Sequence, residues 1–164
     1  MNILFLDIDG VVIHRGESEN LDVGSESVDL LNSLIDEENL NIVVSSTHRL
    51  SLSDGEVVRF LQNMGIETPD FVDMTPIIKG KPRGLEILMW LQNNSWDRFV
   101  IVDDDPSDIK PLEEFVVVTS MEEGFGEDHY EQVQEILAAQ DVSRLPHIQK
   151  LWEEWGDGLK GFGT

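Results

Sequence analysis

The stretch ILFLDIDG, residues 3–10, decides the fold class. Four apolar residues form a short hydrophobic run, and two acids and a glycine follow it closely. A strand that is apolar on both faces is typical of a parallel sheet with helices on each side. Asp7 and Asp9 lie two residues apart on this extended segment, so their carboxylates can converge beyond the strand's carboxyl end, where open α/β sheets bind ligands. The stretch therefore predicts a buried strand that ends in a binding site.

The rest of the chain alternates short apolar runs with segments of helical spacing. Apolar runs at residues 41–44, 71–72, 98–102 and 115–118 predict further strands. Between them, apolar residues recur every three or four positions, which predicts helices. Strands that alternate with helices in this way are typical of an α/β fold built on a parallel sheet.

The expected organisation is one domain followed by a short C-terminal extension. Residues 1–140 are expected to form the domain, since a chain of 164 residues is near the usual domain size. Residues 141–164 are expected to form an amphipathic helix and a Gly-rich tail. The apolar stripe of this helix favours packing on the same domain, with a partner or dimer surface as the alternative; its members are Leu145, Ile148, Leu151, Trp152 and Trp155.

Composition limits the possible partners. The chain has 11 Lys and Arg against 33 Asp and Glu, a formal net charge of −22, which argues against an extended nucleic-acid-binding face. It has no cysteine, so it has no disulfide framework and no thiolate metal site, and we expect a reducing, cytoplasmic location. Without an apolar stretch of about 20 residues, or a signal peptide ahead of Asp7, we expect no membrane partner.

A second acidic group follows another predicted strand. Asp103 and Asp104 come directly at the end of the run at residues 98–102, as Asp7 and Asp9 do after the first strand. If these strands are neighbours, the four acids form an oxygen-rich site suited to a hard divalent ion, with Mg²⁺ favoured. A helix–loop–helix calcium loop is rejected, because Ser18 stands where its bidentate glutamate would be. The alternative interpretation is a pair of solvated acidic turns.

Two further segments suit a phosphate group. SSTHR, residues 45–49, places hydroxyls at a strand end and backbone amides at a helix start, where a phosphate oxygen can bind. The same pattern is also an ordinary helix cap. Lys79, Lys81 and Arg83 then place three of the eleven positive charges within five residues. Such a cluster suits a site that neutralises phosphate, and a solvated basic loop is the alternative.

The order of these four elements resembles the haloacid dehalogenase (HAD) superfamily of phosphotransferases. The resemblance covers about residues 2–125 and is closest to the compact domain of Swiss army knife RNA-repair proteins. It extends to the phrases FLDIDGVV, IVVSSTHR, TP, RGLEI and VIVDDD. The sequence departs from that branch at Gly124–Gly126 and at Thr47-His48, where Ser-Trp is more usual. The resemblance implies a Rossmann-like, three-layer α/β sheet that is capless or has only a small flap at residues 10–24.

The resemblance also implies a role for each motif. Asp7 would be the nucleophile, and Asp9 the general acid and then the general base. Ser45 would hydrogen-bond the phosphoryl oxygens. Lys81 or Arg83 would neutralise charge, and Arg83 is preferred because it opens the RGLEI phrase.

The remaining implied groups hold the metal and the substrate. The magnesium ligands would be Asp7, Asp9 through its carbonyl, Asp103 and Asp104, with Asp104 the first choice for direct ligation. The implied substrate contacts lie directly after the first acidic motif and after the Ser45 hydroxyl; they are Gly10, Ser46, Thr47, His48 and Arg49.

The predicted function is a Mg²⁺-dependent phosphomonoester hydrolase that acts through an aspartyl-phosphate. Its expected partner is a phosphorylated substrate, such as a nucleotide or a nucleic-acid terminus held mainly by its end phosphate. A phosphoprotein or a small metabolite phosphate is an alternative substrate. A catalytically idle domain that binds phosphate or protein is the alternative function. A receiver-like domain ranks last, because its phosphoacceptor normally lies on a middle strand. The oligomeric state is left open.

Overall fold

The computed structural model describes residues 1–16, 19–140 and 145–159. In these residues the chain forms seven strands: β1 (Asn2–Leu6), β2 (Ile13–His14), β3 (Asp22–Val23), β4 (Leu40–Val44), β5 (Val72–Met74), β6 (Arg98–Asp103) and β7 (Val116–Val118). It also forms five α-helices: α1 (Ser25–Glu37), α2 (Val57–Asn63), α3 (Arg83–Asn93), α4 (Glu127–Ala138) and α5 (Leu145–Trp155).

Five strands build one parallel sheet in the order β5-β4-β1-β6-β7. The first strand is central: the chain adds β4 and β5 on one side of it and then crosses to add β6 and β7 on the other. Such a reversal creates a crevice at the carboxyl ends of the strands, where ligands of open α/β sheets bind. The predicted α/β class and parallel sheet are confirmed.

Side chains alternate across the sheet into two apolar cores. Leu4 and Leu6 face one core, which α1, α2 and α4 cover, while Ile3 and Phe5 face the other, which α3 and α5 cover. All four side chains are fully buried. Helices on both faces explain why the strands read as continuous apolar runs rather than as alternating ones. The architecture is therefore three-layered, as the resemblance implied.

The C-terminal helix α5 lies on the core that α3 covers. Ile148 and Leu151 are buried in that core, Trp152 packs against it, and Trp155 is 46% exposed. The predicted stripe thus makes intramolecular contacts along most of its described length. Residues 141–144 and 160–164 lie outside the described residues, so the boundary at residue 140 and the Gly-rich tail stay predictions.

A small hairpin stands between β1 and α1. It pairs β2 with β3, and the amides of Arg15 and Gly16 donate to the carbonyls of Met121 and Glu122 at 2.8 and 2.9 Å. This hairpin corresponds to the expected flap, although Glu17 and Ser18, between its two strands in the sequence, lie outside the described residues. None of the described helices is long and apolar enough to cross a membrane.

Candidate active site

One row of polar side chains follows the buried strands at the carboxyl edge of the sheet. Because Leu6 pairs with both Val44 and Val102, the next residues along these strands fall at one level. The row consists of Thr75, Ser45, Asp7 and Asp103, from β5 to β6. Side chains point to alternate faces along a strand, so these four residues point to the face opposite Leu6. That face is the one that α3 covers. The sheet therefore brings together motifs that lie far apart in the sequence.

Three carboxylates and one guanidinium form the centre of the site. Asp7, Asp103 and Asp104 each offer an oxygen, and these oxygens lie within 4.8 Å of one another. Arg83, the first residue of α3, places Nη1 at 2.6 Å from Asp103 Oδ2 and at 3.4 Å from Asp7 Oδ2. Its Nε lies 4.0 Å from Asp108 Oδ2. Three of the four predicted acids thus cluster beside one mostly buried guanidinium.

The electrostatics of this centre favour an additional positive charge. Burial raises the pKa of Asp7 to about 8, and the Asp103 carboxylate adds to the rise while Arg83 opposes it. Burial also raises the pKa of Asp103, against the lowering effect of Arg83. One guanidinium therefore does not compensate the two acids that it contacts, and the proton replaces the missing charge.

The donor set fits Mg²⁺. All three groups are carboxylate oxygens, which hard divalent ions prefer, and three protein oxygens leave room for water and phosphate ligands. Burial raises the pKa values of Asp7 and Asp103, and a bound cation would favour the ionised forms of both carboxylates. The carboxylate of Asp9 stands apart from this cluster, so its predicted share in the metal site rests on its backbone carbonyl alone.

Two hydroxyls of the row are buried and lack a hydrogen-bond partner in the described chain. They are Ser45 Oγ and Thr75 Oγ1, at the ends of β4 and β5. Ser45 is fully buried and Thr75 is 3% exposed. Buried hydroxyls normally have a partner, because desolvating one without a hydrogen bond is unfavourable. Both are therefore candidates to contact a bound ligand, and Thr75 was not predicted as a site residue.

The segment that follows Ser45 divides into three environments. The Ser46 hydroxyl accepts the His48 amide at 3.2 Å and caps a 3₁₀-helix at Thr47–Ser51. Thr47 is exposed on that helix. The ring of His48 is half-buried, with Nε2 at 3.1 Å and 3.2 Å from the two carboxylate oxygens of Asp9. His48 thus meets the predicted acid rather than standing free for substrate.

Arg49, which was predicted to contact the substrate, turns inward in the structure. It is 5% exposed, and its Nη2 donates to Glu86 Oε1 at 2.6 Å. Its other donors bond the carbonyls of Ser45, Ser46 and Thr75 at 2.8–3.3 Å. Arg49 therefore holds the loops after β4 and β5 together. A buried guanidinium with this many partners has no free donor directed towards the site.

Gly10, which was also predicted to contact the substrate, has a structural role in the turn after β1. Its φ of +81° favours glycine, and a Cβ there would lie 2.5 Å from Asp104 Oδ2. Its amide donates to the Ile13 carbonyl at 2.8 Å, and its carbonyl accepts from Thr119 Oγ1 at 2.6 Å. Because both polar groups are engaged within the chain, Gly10 shapes the turn that lets Asp104 approach Asp7.

The basic motif contributes one residue to the centre. Arg83 is 12% exposed in its side chain and contacts two carboxylates, whereas Lys79 and Lys81 are exposed on the preceding turn. Helix α3 begins at Arg83, directly after Pro82. The start of the helix therefore directs Arg83 towards the sheet edge and leaves both lysines outside.

The fold and this strand-end site define an α/β protein of the HAD-like, Rossmann type. The chain belongs to the family described as the HAD domain in Swiss Army Knife RNA repair proteins, which matches residues 3–130. This family is part of a superfamily of phosphatase-type hydrolases. No curated protein matches the chain. A solved crystal structure is distantly similar, with 11% identity, a TM-score of 0.41 and coverage of 93% of this chain and 81% of that one.

Proposed function

We propose that the protein is a Mg²⁺-dependent phosphomonoesterase that acts through an aspartyl-phosphate on Asp7. The observation that carries the proposal is the buried cluster of Asp7, Asp103 and Asp104 beside Arg83, next to the unpartnered hydroxyl of Ser45. A nucleophile, a charge-neutralising centre and a phosphate-contacting hydroxyl are the groups that a phosphoryl transfer of this kind needs.

The first step forms a bond between Asp7 and phosphorus. A carboxylate oxygen of Asp7 attacks the phosphorus, and the bond from phosphorus to the leaving oxygen breaks. Asp9 gives its proton to that oxygen, so the leaving group departs as an alcohol. Arg83 and Ser45 hold the phosphoryl oxygens and stabilise the charge that they gather in the transition state.

The second step releases the phosphate. Asp9, now ionised, takes a proton from water, and the water oxygen attacks phosphorus while the bond to Asp7 breaks. The products are inorganic phosphate and the original Asp7 carboxylate. A magnesium ion held by Asp7, Asp103 and Asp104 would neutralise the carboxylates and polarise the phosphoryl group.

The proposed substrate class is a phosphorylated nucleic-acid end or nucleotide. The family's description as a domain of RNA repair proteins supports this class. With a net charge of −22, the protein would hold such a substrate through its terminal phosphate and few nucleotides. The chain's lack of cysteine supports the proposal of a cytoplasmic location.

A substrate panel tests the proposal. Nucleotides, 3′- and 5′-phosphorylated oligonucleotides, phosphopeptides and sugar phosphates are incubated with Mg²⁺ or with EDTA, and released phosphate is measured. We expect turnover only with Mg²⁺, abolished by Asp7→Asn and retained by Asp29→Asn, an exposed acid on α1. Arg83→Ala should lower kcat/KM far more than Lys81→Ala. Phosphate-ligand binding without turnover on any substrate would instead support an idle binding domain.

A further inference from the structure

The hydrogen bond between the half-buried side chains of His48 and Asp9 plays no part in the steps described above. His48 Nε2 lies at nearly equal distances, 3.2 and 3.1 Å, from Asp9 Oδ1 and Oδ2. A carboxylate oxygen without a proton only accepts hydrogen bonds, so His48 Nε2 is the donor wherever it faces such an oxygen. The two residues are 39 positions apart and come from different loops at the carboxyl edge of the sheet. The contact therefore links the turn after β1 to the turn after β4.

The backbone turn that carries His48 is anchored by hydrogen bonds, and the His48 ring packs against an aromatic side chain. Its amide is fixed by the buried Ser46 hydroxyl, and the next residue, Arg49, anchors the same turn to Glu86. On its other side the ring contacts Phe60 of α2, with ring centroids 5.4 Å apart. A ring that has an aromatic neighbour and an anchored backbone can orient a partner at a lower entropic cost than a free side chain.

Asp9, in contrast, is 44% exposed in its side chain and stands outside the carboxylate cluster. Within the described residues, the hydrogen bond with the His48 ring restrains the Asp9 carboxyl group. A general acid must hold its proton in a defined direction, because a small displacement lowers the rate of proton transfer strongly. Asp9 therefore needs a neighbour that fixes its orientation.

We propose that His48 is a positioning residue that orients the Asp9 carboxyl group for proton transfer. The proposal rests on the proposed phosphatase function. One Asp9 oxygen keeps the hydrogen bond from His48 Nε2, while the other carries the proton that moves to the leaving oxygen as its bond to phosphorus breaks. His48 itself neither gains nor loses a proton in this step. This role replaces the expectation that His48 contacts the substrate.

Substrates with different leaving groups separate this role from a structural one. An alkyl phosphate needs its leaving oxygen protonated, whereas nitrophenyl phosphate releases a stable anion and depends little on a general acid. The value of kcat/KM covers the steps up to the first bond cleavage, so it isolates this proton transfer. His48→Leu should lower kcat/KM for the alkyl phosphate by about 10- to 100-fold and for nitrophenyl phosphate by less than about threefold.

Two variants provide the matched comparison. His48→Gln keeps a donor near the position of Nε2 and should recover most of the alkyl phosphate activity. His147→Leu removes another histidine–carboxylate pair, with Glu114 at 2.6 Å, near the opposite edge of the sheet where β7 begins, and should leave both rates unchanged. In an Asp9→Asn background, His48→Leu should cause no further loss for the alkyl phosphate.

Other outcomes would overturn the proposal. Equal losses on both substrates would indicate a structural role, and a raised KM with unchanged kcat would indicate direct substrate binding. A faster His48→Leu enzyme would show that the pair restrains Asp9 unproductively. Long-range ¹H–¹⁵N NMR of the His48 ring adds a readout that needs no turnover. If the wild-type and Asp9→Asn spectra show the same Nε2 signal, the contact is absent.

The same experiments separate this inference from the proposed function. A wild-type protein that hydrolyses no phosphomonoester refutes the function and, with it, the catalytic role of the pair, even where NMR detects the contact. An active enzyme in which His48→Leu shows no dependence on the leaving group refutes the positioning role alone.

Discussion

Replacing Asp7 with asparagine is expected to stabilise the metal-free protein while abolishing its activity. Asp7 and Asp103 are almost completely buried and share the guanidinium of Arg83. Burial and the Asp103 carboxylate raise the pKa of Asp7 to about 8 from an ordinary value of 3.8. Ionised Asp7 therefore opposes folding in the absence of metal, and asparagine has nearly the same shape without the charge.

The magnitude follows from proton linkage. Between about pH 4 and pH 8, the folded chain keeps a proton on Asp7 that the unfolded chain has released, so the free energy of unfolding falls as the pH rises. The shift sets a ceiling of about 4 kcal/mol at neutral pH. Because Asp7 and Asp103 share Arg83, we expect Asp7→Asn to raise the free energy of unfolding by about half of this ceiling. That gain corresponds to a rise in Tm of roughly 4–8 °C.

Urea and thermal unfolding in EDTA measure the effect. The advantage of Asp7→Asn should grow from about pH 5 to about pH 8, whereas Asp29→Asn on the exposed face of α1 should show no such trend. Adding Mg²⁺ should reverse the order, since the ion binds ionised Asp7 in the folded wild-type chain. At about 100 times its Kd, the ion would contribute about 2.7 kcal/mol. A variant less stable than wild type in EDTA near pH 8 would refute the reasoning.

Three further predictions concern the groups around this centre. Ser45→Ala should change the free energy of unfolding by less than about 1 kcal/mol, since its hydroxyl lacks a partner, yet lower kcat/KM by about 10- to 100-fold in phosphate-release assays. Arg49→Met should cost about 3–5 kcal/mol in urea unfolding by leaving Glu86 buried and unpaired, and adding Glu86→Leu should recover part of the loss. Gly84→Ala should cost about 1–3 kcal/mol, because its Cβ would lie 2.2 Å from the Ile109 carbonyl oxygen, whereas Gly55→Ala meets nothing within 4 Å and serves as the control.

The sheet was predictable because its three inner strands, β1, β4 and β6, are short and mostly apolar. Strands β1, β4 and β6 are buried on both faces, so the bounds of their apolar runs agree closely with the bounds of the strands. The third predicted strand was displaced: residues 71–72 were predicted, and β5 spans Val72–Met74. This strand lies at an edge of the sheet and is only half-buried, so its pattern is weaker.

The acids of the site were predictable because their positions follow from the strands. A carboxylate at the end of a parallel strand lies at the binding edge whatever the helices do, and this places Asp7 and Asp103. The choice between Lys81 and Arg83 depended on where α3 begins. Pro82 is a signal for that boundary, since proline is favoured at the start of a helix.

The roles of the residues after Ser45 could not be predicted from their pattern. Hydroxyls followed by His48 and Arg49 look like a phosphate-binding turn, because the sequence does not show which side chains point inward. Arg49 can be buried because Glu86, 37 positions away on α3, and several backbone carbonyls accept its hydrogen bonds. The contact of His48 with Asp9 likewise depends on how two loops meet in space.

The rigidity of the strands explains why this acidic cluster could bind a cation without rearranging. Asp7 and Asp103 continue strands whose neighbouring residues, Leu6 and Val102, are fully buried and paired with each other. Moving the backbone that carries either carboxylate would break the sheet ladder or open the apolar core, which is costly. The two acids are therefore held together by the same apolar packing that makes the strands recognisable in the sequence. A fixed pair of this kind releases its electrostatic strain by binding a proton or a metal ion, and at neutral pH a divalent ion supplies more charge.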